Sequence, residues 1–173
     1  MANPTMTLIA SNTVGSGGAS SVTFSSIPAT YTDLCVKISG RSDSGADAPL
    51  YATFNGASTN FSHVYLLGSG SGASSGNNAY GVGSTKFYGG TIDGITNTSN
   101  SFGSIDIYVP NYAGSNYKSV SFDAVEEGNS AGQYAALVAG LWSNTSAINQ
   151  ITFTTSNNFV QYSSFYLYGI SNS

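Results

Sequence analysis

The chain has 173 residues, long enough for one domain with a real core. Only 7% of them are charged, with four Lys and Arg and a net charge of −4, where about 25% is ordinary. Four scattered cations cannot neutralise a phosphate backbone, so no nucleic acid partner is expected, and the weak negative charge gives no attraction to an anionic membrane. Tyr, Phe and Trp make up 13% of the chain, which with so small a net charge is not a disordered composition.

The N-terminal "MANPTMTLIAS" lacks a basic n-region and an apolar h-region of ordinary length, so no signal peptide is expected. No stretch approaches the roughly 20 apolar residues of a membrane-spanning helix. Residues 1–12 read as a docking arm or a first strand, with a short run at "MTLIAS". "SVTFSSI" follows, and then "YTDLCVKIS", where Leu34, Val36 and Ile38 alternate with Asp33, Cys35 and Lys37. Alternation of period two is the mark of a strand. In "PLYATFNG", Leu50, Ala52 and Phe54 share a face, and Asn55-Gly56 signals a tight turn.

"HVYLL" is a further short run. Residues 68–84, "GSGSGASSGNNAYGVGS", read as a long glycine- and serine-rich loop. "TKFYG" and "FGSIDIYVP" come next, the latter with Ile105, Ile107 and Val109 on one face and Pro110 at its end. "YKSVSFDAVEE" turns Val120, Phe122 and Ala124 inward. "QYAALVAGLWS" is apolar on both faces and reads as a central strand covered on both sides. "INQITFTT" and "NFVQYSSFYLYGI" complete about ten strands in residues 1–173, and no capped amphipathic helix is found. The expected fold is a single all-β domain, an antiparallel β-sandwich of jelly-roll type.

No grouping of residues argues for catalysis. Cys35 is the lone cysteine and His63 the lone histidine, in different runs. Each reads as a structural position, the histidine as a polar strand residue. The acidic pairs Asp43/Asp47 and Glu126/Glu127 could serve glycoside hydrolysis or bind calcium, but their context reads as solvated loop. "GVGSTKFYGG" lacks the helix that a phosphate-binding loop requires. No catalytic residue, metal or other cofactor is expected.

The aromatic residues are more informative. In the last run Phe165 and Leu167 share one face, and Tyr162, Tyr166 and Tyr168 are placed on the other. Something should cover them: a second sheet, another subunit or a sugar. Trp142, at the end of an apolar run, reads as the cap of the core at its rim, with a subunit contact or a sugar platform as the other readings. These four aromatics are the candidate interface residues.

Several stretches resemble a family of small virion proteins from tailed phages of aquatic bacteria and cyanobacteria. They are "TLIASNTVGSGGASSVTFSSIPATYTDLCVKISGRSD", "FGSIDIYVPNYAGSNYKSVSFDAVEE", "AGLWSNTSAINQITF" and "NFVQYSSFYLYGI". The resemblance covers most of the chain, most weakly residues 57–100, and carries no catalytic signature. It implies a β-sandwich that serves as a non-enzymatic particle component located in the virion. The expected role is a capsid decoration or cement protein, with the major capsid protein or other virion proteins as partners. A homo-oligomer is expected, a trimer foremost. The alternative is a tail-fibre or head-fibre appendage that binds a receptor or a host surface glycan.

Overall fold

A computed structural model describes residues 5–77, 85–129 and 133–171. It is all-β, with twelve strands among the described residues, all paired antiparallel. The first six are β1 (Met6–Thr13), β2 (Ala19–Phe24), β3 (Asp33–Gly40), β4 (Ala48–Phe54), β5 (Phe61–Ser69) and β6 (Gly72–Asn77). The second six are β7 (Phe87–Ile92), β8 (Gly103–Val109), β9 (Lys118–Glu126), β10 (Tyr134–Trp142), β11 (Ile151–Phe159) and β12 (Ser164–Ile170). Eight strands form one sheet in the order β1-β12-β3-β8-β9-β10-β5-β6, and four form the other in the order β2-β11-β4-β7. The chain crosses between the sheets eight times, at β1–β2, β2–β3, β3–β4, β4–β5, β6–β7, β7–β8, β10–β11 and β11–β12. This is the winding of a jelly-roll-like sandwich.

Alternating side chains build the core between the sheets. Across the large sheet one inner row runs Phe165, Ile38, Ile105, Ala124 and Ala136, and the next runs Leu167, Val36, Ile107, Phe122 and Val138. Val22, Phe24, Ala52, Phe54, Phe87, Ile151 and Phe153 meet them from the small sheet. Edge-to-face rings add directional contacts, such as Phe54 on Phe87 with centroids 5.4 Å apart.

Asparagine supplies the turns. Of seven non-glycine residues with positive φ among those described, five are Asn: 55, 60, 100, 111 and 129. Asparagine tolerates this conformation better than most residues. Asn55 and Gly56 have φ of 51° and 66°, and Ala57 N donates to Phe54 O at 2.9 Å. That tight turn does not close a hairpin; it sends the chain from β4 to β5 in the opposite sheet.

Several expectations change. Residues 72–77 form strand β6, paired with β5 through main-chain bonds that need no side-chain pattern; residues 78–84 of the expected loop lie outside the described residues. Residues 6–13 are a paired first strand, and residues 1–4 lie outside the described residues. β10 lies inside the sheet, but among the described residues only its inner face is covered, by the small sheet, and Leu137 on its outer face is exposed. His63 faces inward, buried near Tyr88 with ring centroids 6.3 Å apart.

Candidate functional site

The pairing register places every outward side chain of the large sheet in transverse rows. One row reads Ser11, Tyr166, Lys37, Asp106, Asp123, Leu137, Leu66 and Ser75 across all eight strands. The adjacent row reads Leu8, Tyr168, Cys35, Tyr108, Ser121, Ala139, Val64 and Asn77. On the other side of the first lie Val125, Ala135, Gly68 and Ala73. The outer face therefore has three zones: tyrosines at the β1–β12 end, a charged belt, and an apolar band over β9, β10 and β5.

The apolar band is the unusual zone. Leu137 is 57% exposed and pairs directly with Leu66 at 55%. Val64 and Val125, at 57% and 50%, flank them, with Ala135 and Ala139 between. Single exposed leucines need no explanation, whereas contiguous exposed apolar side chains rimmed by polar residues are characteristic of interaction surfaces. Two shallow hollows, of about 290 and 380 Å³, lie along it on either side of Leu66 and Leu137.

The charged belt is largely self-satisfied. Lys37 and Asp106 form an ion pair with both side chains about half exposed. The hydrogen bond to Asp106 raises the Lys37 ammonium above its ordinary range. Asp106 also lies directly opposite Asp123, a like-charged cross-strand pair that Lys37 helps to offset. Tyr108 Oη donates to Asp33 Oδ2 at 2.6 Å, and Asn111 N donates to Asp33 Oδ1 at 2.9 Å. That bond to Asp33, with burial secondary, raises the Tyr108 phenol. Burial raises the Cys35 thiol; a thiol kept protonated is a poor nucleophile.

The four predicted aromatics separate. Tyr166 and Tyr168 stand on the outer face, with Tyr108 two strands away, and among the described residues no second sheet covers them. Tyr162 does not share that face: it sits in the turn before β12 with φ of 74° and is 67% exposed. Trp142 closes the core at the last residue of β10. It is 1% exposed, stacked on Phe61 at 6.1 Å and edge-on to Phe54 at 5.8 Å, so its ring belongs to the core and offers no surface. The apolar band was missed, although Ala135, Leu137 and Ala139 stood in the two-faced apolar run of β10.

The remaining candidates also resolve. Asp43 accepts from Asn158 N at 2.7 Å and Asn158 Nδ2 at 3.0 Å, while Asp47 accepts from Asn97 Nδ2 at 2.5 Å. The two acids therefore serve different partners. Glu127 is exposed, but Glu126 is buried, against the expectation of a solvated loop pair. Among the described residues no group of three or more His, Cys, Asp or Glu side chains is arranged to hold a metal ion. Of the cations, Arg41 and Lys118 are buried, Lys37 is paired, and Lys86 lies over the Tyr51 ring at 3.6 Å. No protein-family model matches the chain, and no curated protein matches it.

Proposed function

We propose that this chain is a non-enzymatic structural component of a phage particle, a decoration protein that docks on the capsid through the outer face of its large sheet. The single observation that carries the reading is the apolar band of Leu66, Leu137, Val64 and Val125. Side chains of this kind, flanked by a polar belt and a tyrosine zone, match the apolar centre and polar rim of a protein interface. Burying the exposed half of each leucine would contribute about 1 kcal/mol. The resemblance of the strand and turn sequences to small phage virion proteins supplies the biological setting. Oligomerisation of the chain fits the same face.

Phage particles lacking the protein, heated alongside complete particles, test the proposal. Earlier loss of infectivity and DNA, restored by adding back purified protein, supports it. Equal heat resistance together with no binding of the protein to the heads refutes it. Binding to tails, or to host glycans on an array, would move the assignment to an appendage.

A further inference from the structure

At one end of the sandwich three connections meet: the one before β4, the loop between β7 and β8, and the end of β9. Asn97 Nδ2 lies 2.5 Å from Asp47 Oδ1, 2.8 Å from Asp93 Oδ1 and 2.9 Å from Glu126 Oε1. An amide nitrogen has two hydrogens, so it cannot satisfy three carboxylates. Asp93 and Glu126 are both buried, and among the described residues Asp93 Oδ2 and Glu126 Oε2 meet no donor. Their other oxygens, Asp93 Oδ1 and Glu126 Oε1, meet at the same Asn97 nitrogen. Arg41 does not neutralise them directly; it donates to the carbonyls of Asn97, Thr98 and Ser101, and Ser101 Oγ bonds Asp93 Oδ1 at 2.9 Å. The arrangement is built into the backbone: a Cβ at Gly128 would stand 2.5 Å from Asn97 Nδ2.

We propose that Glu126 is held protonated at neutral pH and shares its proton with Asp93, and that this proton fastens the β7–β8 loop to the end of β9 until alkaline pH removes it. One proton between Glu126 Oε2 and Asp93 Oδ2 gives both orphaned oxygens a partner, and it removes one of the negative charges gathered around Asn97. Burial first, then the charges of Asp47 and Asp93, the bond with Asp93 and the charge of Glu127, push the Glu126 carboxyl up to about 8. Burial also raises Asp47. A carboxyl raised in the folded state keeps a proton that the unfolded chain gives up near its ordinary value of 4.5. Its stabilisation is therefore complete below that value and is lost as pH climbs to about 8. Buried His63, whose imidazole is lowered, contributes the opposite sign around its ordinary 6.5, so the comparison must be between variants.

Urea unfolding of wild type and Glu126→Gln from pH 5 to 9 tests this. Glutamine reproduces the protonated acid, with an amide donor for Asp93 and a carbonyl for Asn97. The ratio of unfolding constants, wild type to variant, should rise by up to tenfold per pH unit until about pH 8 and then level off. A ratio independent of pH overturns the proposal. Should the variant not fold, infrared spectra of the wild type decide: a protonated-carboxyl stretch at pH 6 that vanishes through pH 8 supports the proposal, and its absence at pH 6 overturns it. Stabilisation of the wild type at pH 8 by calcium chloride, reversed by a chelator, would also overturn it, because a cation would then occupy the place of the proton.

Discussion

Replacing Leu66 and Leu137 together by threonine isolates the apolar band from the fold. The two residues are directly paired across β5 and β10, and each leaves more than half of its surface in water. Full burial of a leucine is worth about 1.5–3 kcal/mol, so covering the exposed half contributes about 1 kcal/mol each. The pair should therefore supply about 2 kcal/mol, close to a thirtyfold change in Kd. Threonine is at home in strands, and neither side chain packs into the core. Folding stability should stay within about 0.5 kcal/mol of wild type. The assay is cosedimentation of the purified double variant with particles lacking the protein, alongside sedimentation equilibrium of the variant alone. Thr23→Ala, on the exposed outer side of the small sheet, serves as the control. Unchanged particle binding and unchanged self-association of a folded double variant would refute the assignment of the band as an interface.

Two further substitutions test the packing that holds this face in place. Gly90 has φ of +107°, and a Cβ there would fall 2.2 Å from the Cβ of Ala124; Gly90→Ala should lose at least about 2 kcal/mol in urea unfolding through overpacking and backbone strain, with partial recovery in Gly90→Ala/Ala124→Gly. Tyr108→Phe should lose about 1 kcal/mol, a partly exposed bond to the carboxylate of Asp33 being worth less than a buried one. Ultraviolet titration of that variant should lack one phenol that ionises above the ordinary tyrosine range in the wild type.

The alternation of β3, β8 and β9 made the sandwich legible, because period-two burial is a direct imprint of a half-covered sheet. The same logic misled at β10. Its apolar residues on both faces predicted cover on both sides, and among the described residues nothing lies over its outer face. Periodicity reports that a face avoids water, without saying whether a sheet or another molecule shields it. Strand β6 was hidden because Gly, Ser and Ala carry no pattern, and its main chain alone pairs with β5. The burial of Glu126 was readable by parity: it continues the inward series Val120, Phe122 and Ala124. Its place beside a second glutamate at a strand end suggested solvent instead. The convergence of Asp47, Asp93 and Glu126 on Asn97 was not readable, since it depends on three loops that meet only in the folded sandwich.

Composition sharpens the reading of the outer face. A surface rich in Ser, Thr and Asn keeps a protein hydrated but gives little electrostatic repulsion between copies, and here the net charge is only −4. Charged residues are the usual means of keeping an exposed apolar sheet from pairing with another. Within the apolar band the row carries a single charge, Asp123, at its boundary with Asp106 and Lys37. That carboxylate limits how a partner can sit. A flat apolar surface laid over Leu66 and Leu137 would strip water from Asp123 without repaying it, whereas a partner with a lysine or arginine at that point would gain both contacts. Asp123→Lys should therefore weaken binding to the particle more than Asp123→Asn, and by an amount that shrinks with added salt. Equal effects of the two substitutions, or no dependence on salt, would mean that the partner meets this edge of the band without a positive charge.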